Sequence, residues 1–67
     1  SIPDDVDNLK ILVHDIRGRV VETLYSGYMN KGEHHIVWNA SNFASGVYFV
    51  RMETPSKIFN KKIMLIK

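Results

Sequence analysis

The chain has 67 residues, a formal net charge of +2 and no cysteine. A chain of this length forms one domain that hides only about 60% of the surface its unfolded form exposes, so we expect a thin core without disulfide support. Because lysines alternate with acids over most of the chain, the weak positive charge argues against a nucleic-acid partner. No apolar run approaches the ~20 residues of a membrane-spanning helix, which excludes a membrane anchor of that kind.

The chain start lacks the basic and apolar regions of a signal peptide, so we expect a piece of a longer protein. Beyond it, alternating apolar and polar residues predict β-strands. The first is expected over residues 8–14, with apolar side chains on both faces, which favours a central position. A hairpin turn follows in which Gly18 takes a positive φ. The second strand is expected over residues 19–25, where a bulge would turn Val21 and Leu24 inward together.

Residues 26–32 end in Gly32 and predict a loop that carries the chain from one sheet to another. Residues 33–39 alternate most regularly and predict a third strand. Ile36 and Trp38 share one face of this predicted strand, and we expect the tryptophan to fill the core.

Residues 39–46 are small and polar, which predicts a compact connection, because such side chains bond to their own backbone. The fourth strand is expected over residues 47–53, with Tyr48 and Val50 on its buried face. The fifth is expected over residues 57–66. No segment shows a helical period, so these strands predict an all-β fold. The expected architecture is a small antiparallel Ig-like β-sandwich, and it occupies residues 1–67 as a single domain.

Four short patterns then stand out in chain order: Asp-Ile-Arg-Gly-Arg at 15–19 with Thr23 and Leu24, Gly-Glu-His-His-Ile-Val-Trp-Asn at 32–39, Ala-Ser-Gly-Val-Tyr at 44–48, and Lys-Ile-Met-Leu-Ile-Lys at 62–67. In this order and spacing they resemble the type A C-terminal sorting domain carried by cargo of the bacterial type IX secretion system. The resemblance covers residues 9–67. A related Ig-like domain occurs in flagellar hook-capping proteins and in modules appended to extracellular enzymes.

This resemblance implies a non-catalytic C-terminal sorting signal without a cofactor. Such cargo crosses the inner membrane by a separate N-terminal signal, and the outer-membrane translocon then recognises the folded C-terminal domain. A sortase-like peptidase commonly removes the domain, and the cargo is secreted or joined to lipopolysaccharide at the cell surface. The partners expected from the resemblance are therefore the translocon, the peptidase and an upstream cargo domain.

The residues expected to meet the translocon belong to the fourth strand and to the end of the fifth. They are Gly46, Tyr48, Arg51, Lys62, Ile63, Met64, Leu65, Ile66 and Lys67. The translocon would recognise the last strand by charge complementarity or by strand addition. The residues expected to support the fold are Gly18, Gly32, Ile36, Trp38 and Val50.

The chain departs from the family at its start. Family members usually open with a further strand that follows an Asn-Pro segment, and here residues 1–7 supply only a remnant of that strand and its linker. A missing strand leaves a sheet edge whose unpaired amides and carbonyls invite another strand. We therefore predict that a neighbouring chain or a lost segment covers this edge.

Other sites are disfavoured by the spacing of their residues. His34 and His35 are neighbours on a predicted strand and point to opposite faces, so they do not chelate one metal ion. The acidic residues 4–7 lack the glycine and distal glutamate of a calcium loop. No Gly-x-Ser-x-Gly motif occurs, and a thin core leaves little room for a catalytic cleft.

A second interpretation of the sequence is an accessory Ig-like module attached to an extracellular enzyme, where it binds polysaccharide or another domain. A long continuation of the natural precursor beyond Lys67 would favour this module, whereas a precursor that ends at Lys67 favours the sorting signal.

Overall fold

The computed structural model describes Ile2 and residues 4–67, and its strands form one antiparallel sheet. The strands are β1 (Val6–His14), β2 (Val20–Met29), β3 (Gly46–Glu53) and β4 (Ile58–Leu65). Their spatial order is β2-β1-β3-β4, so β1 and β3 are central and β2 and β4 are the edges. The all-β prediction and the central position of the first strand are confirmed. The single open sheet is consistent with a small Ig-like sandwich.

The turn between β1 and β2 forms as the sequence predicts. Gly18 has a φ of 84° and its N–H donates to the carbonyl of Asp15 at 3.0 Å. The Asp15 N–H donates to the carbonyl of Arg19 at 2.9 Å. Asp15 Oδ1 accepts from the backbone N–H groups of Arg17 at 2.9 Å and Arg19 at 3.0 Å. The aspartate side chain thus satisfies the backbone donors that a tight turn leaves unpaired.

Strand β2 is longer and more irregular than its sequence pattern suggests. Its register against β1 shifts twice near the turn and leaves Leu24 and Val21 each without a partner, so the strand is irregular at both positions, where the sequence predicted a single bulge. The strand continues to Met29 instead of ending at residue 25, because residues 25–29 pair with the first half of β1. The predicted loop over residues 26–32 is therefore wrong for its first four residues.

The core lies on one face of the sheet, called here the inner face. Residues directly opposite each other on neighbouring strands share a face, and Val13 of β1 lies opposite Val50 of β3. Among the described residues, four apolar side chains are buried: Leu9, Val13, Met29 and Tyr48. The predicted burial of Tyr48 is confirmed, and Val50 is half-buried beside it.

The third strand predicted over residues 33–39 is wrong. These residues belong to no ladder, because a strand needs a hydrogen-bonded neighbour and no described segment pairs with them. Ile36 was expected in the core but is 36% exposed, and Val37 is 87% exposed. Trp38 is half-buried and packs against Tyr48, with ring centroids 5.2 Å apart.

The segment before β1 lies beside the end of β2. Ile2 and Gly32 form an isolated antiparallel bridge in which each N–H donates to the carbonyl of the other at 2.9 Å. Ser1 and Pro3, part of the expected strand remnant, lie outside the described residues. Strand β1 begins at Val6, two residues before the predicted start.

Candidate recognition surface

The predicted recognition residues lie on the hairpin formed by β3 and β4. The two strands pair without a register shift, from Gly46 opposite Leu65 to Glu53 opposite Ile58. Thr54 and Lys57 close the hairpin, since the Thr54 N–H donates to the Lys57 carbonyl at 2.8 Å and the Lys57 N–H donates to Thr54 Oγ1 at 3.0 Å. Strand β4 pairs only with β3, so within the described chain its second edge is unpaired.

Four of these nine residues lie at inner-face positions. Leu65 lies opposite Gly46, and Ile63 lies opposite Tyr48, so their side chains share the inner face. Ile63 and Leu65 are half-buried and Tyr48 is buried. These side chains pack the end of β4 onto the sheet and offer little surface to a partner.

Three others lie on the outer face, the side of the sheet opposite the core. Lys62 and Met64 alternate with the inward residues and are exposed, Met64 at 65%. Arg51 shares this face, because it lies opposite Asn60, two residues before Lys62. The sheet therefore brings Arg51 of β3 to the same surface as Lys62 and Met64 of β4.

Arg51 contributes less free charge to this surface than the sequence suggests. Its Nε lies 3.0 Å from Glu53 Oε2, and both side chains are about one-third exposed. Arg51 Nε is buried and has no aligned hydrogen-bond partner, so the contact is an ion pair without a directed hydrogen bond. Lys62 is therefore the more accessible of the two cations.

The C-terminal residue is tied back to the connection before β3. The backbone N–H of Lys67 donates to Ser45 Oγ at 3.1 Å, and its Nζ donates to the carbonyl of Ser41 at 2.7 Å. Ile66, just before it, is 79% exposed. The sequence predicted only a turn-forming role for this connection, which is confirmed where Asn39 Oδ1 accepts from the Ser41 N–H at 3.2 Å. No local feature of the sequence predicts the contacts between this connection and Lys67.

An aromatic cluster holds the same connection against the inner face. Trp38 lies 5.2 Å from both Phe43 and Tyr48, measured between ring centroids, in tilted and edge-on arrangements. The hydroxyl of Tyr48 donates to the carbonyl of Ala44 at 2.7 Å. Phe43, which the sequence did not single out, is thus the third member of the cluster. Trp38 Nε1 is buried without a hydrogen-bond partner among the described residues.

A comparison with protein families identifies the family of the whole chain. The family model of the secretion system C-terminal sorting domain matches residues 1–67. The chain belongs to this family. No curated protein and no solved structure matches it.

Membership of this family indicates the general role of the sorting domain. The family marks a C-terminal sorting signal for type IX secretion and is non-catalytic. It implies an interaction with the secretion machinery, a cargo upstream, and export across the outer membrane to the medium or the cell surface.

His34 and His35 of the sorting domain are exposed. His34 Nε2 lies 2.7 Å from the carbonyl of Asn30, and His35 is its exposed neighbour. Within Ile2 and residues 4–67, no three His, Cys, Asp or Glu side chains come together in a way that could hold a metal ion. None of these residues forms a helix long and apolar enough to cross a membrane.

The sorting domain has one feature that the sequence did not predict, an open groove of about 700 Å³ at the end of the sheet away from Lys67. Its floor includes Leu9, Met52 and Phe59, and its walls are the acidic segment before β1 and the turn between β3 and β4. The groove forms because the segment before β1 lies alongside the sheet without covering it.

Proposed function

We propose that this sorting domain is the signal by which the type IX translocon selects a folded cargo in the periplasm, and that the translocon binds the exposed end of β4. The observation that carries the proposal is the family match over residues 1–67. The structure supports the location, because β4 is an edge strand whose outer-face side chains are exposed. A sortase-like peptidase then removes the domain, and the cargo stays in the medium or at the cell surface.

The proposed recognition residues divide into two groups by exposure. The exposed side chains Lys62, Met64, Ile66 and Lys67 contact the translocon. Gly46, Tyr48, Ile63 and Leu65 hold β4 in place, and Arg51 extends the outer face. Exposed apolar groups between lysines suit an apolar partner surface with an acidic rim, and the unpaired edge of β4 suits strand addition.

A C-terminal deletion gives the first test. A periplasmic reporter fused to the sorting domain is expected to reach the medium, and the same fusion without residues 62–67 is expected to stay in the periplasm. This deletion also removes the partners of residues 46–49 and the contacts of Lys67 with Ser41 and Ser45. Normal export of the truncated fusion would refute the proposal, but lost export needs a control for folding.

Point substitutions supply that control. Met64→Ser combined with Ile66→Ser changes two exposed apolar residues and is expected to lower export about tenfold, the effect of losing about 1.4 kcal/mol of binding. The matched control is Ile16→Ser with Val20→Ser, since both residues are exposed at the turn between β1 and β2, toward the edge of the sheet opposite β4. Circular dichroism should show that both variants are folded. Equal export of the two folded variants would exclude β4 as the recognised surface.

The open groove favours the accessory binding module as the second candidate. A module that binds polysaccharide or another domain there would lose binding in Phe59→Ala, because Phe59 forms part of the groove floor. Export of the reporter would then be insensitive to Met64 and Ile66. The sorting signal ranks first because the family match covers the whole chain, whereas the groove alone specifies no ligand.

A further inference from the structure

The free edge of β4 presents the backbone N–H and carbonyl of every second residue. The Thr54 N–H donates to the carbonyl of Lys57 at 2.8 Å, so these two residues form a hydrogen-bonded pair next to the pair of Glu53 and Ile58. Hydrogen-bonded and non-hydrogen-bonded pairs alternate along an antiparallel ladder, and this ladder has no register shift. The residues that turn their backbone groups away from β3, called here the edge-facing residues, are therefore Ile58, Asn60, Lys62 and Met64.

The other end of β4 has the same phase. The Lys67 N–H donates to Ser45 Oγ at 3.1 Å, so it points toward the side of β3. Leu65, two residues earlier, lies opposite Gly46, and residues two apart on a strand direct their backbone groups the same way. Both ends of the hairpin thus assign the N–H of Met64 to the free edge.

Two lysines occupy the centre of this edge. Lys61 and Lys62 are the middle residues of β4, they point to opposite faces, and both side chains are exposed. Their partners on β3 are the apolar residues Val50 and Phe49, and the ion pairs within the described part of the chain involve other residues. The centre of the edge therefore carries one positive charge on each face of the sheet.

These charges disfavour pairing between two copies of the domain. A closed dimer through β4 is twofold symmetric and antiparallel, and it pairs edge-facing residues with each other. Only registers in which one residue lies opposite its own copy meet this condition, and the two longest are centred on Lys61 and on Lys62. Each of these registers places two ammonium groups directly opposite, which destabilises the pairing. A lysine at both central positions thus opposes both registers.

We propose that Lys61 and Lys62 determine which strand adds to β4. The strand that they select is an extended segment of another protein with two adjacent carboxylates, because adjacent residues of the added strand point to opposite faces and each meets one lysine. The strand that they exclude is β4 of a second copy. This inference rests on the proposed function in one respect, namely that β4 is the strand that the translocon binds.

A synthetic peptide tests the selection on the 67-residue chain. The peptide has the length of β4 and carries two adjacent glutamates between flanking valine and threonine residues. It is expected to bind, and replacement of both glutamates by glutamine is expected to weaken binding about tenfold, because two cross-strand ion pairs are lost. Added salt is expected to reduce this difference, since it screens exposed charges. Equal binding of the two peptides, or no binding of either, would overturn the proposal.

Amide exchange shows whether the peptide adds as a strand. With peptide bound, the N–H groups of the edge-facing residues are expected to exchange at least about tenfold more slowly, because each gains a backbone acceptor. The N–H groups of Phe59, Lys61 and Ile63 already face β3 and are expected to change much less. Unchanged exchange at the edge-facing residues would show that the peptide binds elsewhere, which refutes strand addition.

Removal of the two lysines tests the exclusion of a second copy. Lys61→Thr combined with Lys62→Thr is expected to lower the dissociation constant of a dimer at least about tenfold in sedimentation equilibrium, because threonines pair across strands without repulsion. The control Lys10→Thr with Lys31→Thr removes the same charge from exposed residues outside β4. Circular dichroism should show that both variants are folded. Equal self-association of the two folded variants would contradict the exclusion.

These measurements separate the inference from the proposed function, since none of them involves export. If Met64→Ser with Ile66→Ser leaves export unchanged while the acidic peptide still adds to β4, the proposed function fails and the strand selection stands. If the same substitutions block export while the acidic peptide does not bind, the strand selection fails and the proposed function stands.

Discussion

Asp15 shows how one side chain can define the turn between two strands. Its Oδ1 accepts from the N–H groups of Arg17 and Arg19, and its Oδ2 lies 3.0 Å from Arg19 Nε. The backbone N–H of Arg19 contributes most to lowering the pKa of Asp15 below its ordinary value of 3.8. Partial burial opposes this shift, and the Arg19 guanidinium and the Arg17 N–H add to it. Only the charged carboxylate accepts all these bonds.

Asp15→Asn is therefore expected to lower stability at neutral pH and to matter less in acid. Because the pKa of Asp15 is lower in the folded than in the unfolded state, its carboxylate contributes its full stabilisation at pH values well above 3.8. This contribution is lost as the pH falls through the folded-state pKa. Urea unfolding of both proteins at pH 7 and near pH 3 measures the difference. Asp4→Asn at an exposed position is the control, with a small expected effect. A difference that does not change with pH would show that the charge is unimportant.

At the scale of elements, residues 33–45 and the sheet are held by different forces. The sheet strands are joined by ladders of backbone hydrogen bonds. The segment lies outside these ladders and is held by the ring contacts of Trp38 and Phe43, the Tyr48 hydroxyl and the two hydrogen bonds from Lys67. Regions with few buried contacts and few backbone bonds open at lower free energy than the rest.

Trp38, the single tryptophan, makes this separation measurable. In the 67-residue chain its fluorescence is expected to change at lower urea concentrations than the circular dichroism of the sheet, because the segment can leave while the ladders persist. Phe43→Ala removes one ring contact and is expected to move the fluorescence transition down while leaving the sheet transition nearly unchanged. Coincident transitions in both proteins would mean that the segment and the sheet unfold as one unit.

At the scale of the whole molecule, stability depends on very few side chains. A domain of this length is stable by about 3–10 kcal/mol, at 0.05–0.15 kcal/mol per residue. Only four apolar side chains among the described residues are buried, and Leu9 and Val13 of the central strand β1 are the two with no exposed surface. Loss of packing at either position therefore removes a large share of the free energy of unfolding.

Val13→Ala is expected to lower the free energy of unfolding by about 2 kcal/mol, from lost burial of two methyl-sized groups and the cavity they leave. Val37→Ala makes the same chemical change at a side chain that is 87% exposed and is expected to cost less than about 0.5 kcal/mol. Urea denaturation of both variants measures the two costs. Equal losses of unfolding free energy in the two variants would mean that the inner face does not form the core.

Local chemistry alone determined much of this protein. The two-residue period predicted the all-β class and the approximate positions of β1, β3 and β4, because alternate side chains of a strand face opposite sides. The turn at Asp15 and Gly18 followed from side chains that bond to their own backbone and from a residue without Cβ. The motifs also identified the family, which the match over residues 1–67 confirms.

Only tertiary structure decided what depends on distant neighbours. Residues 33–39 have a strand pattern without a ladder, because a strand exists only where a second segment accepts its hydrogen bonds. The register of β3 against β4 decided that Ile63 and Leu65 support the fold while Lys62 and Met64 stay exposed. The contacts of Lys67 with Ser41 and Ser45 join residues more than twenty positions apart, a distance over which neither strand period nor turn chemistry carries information.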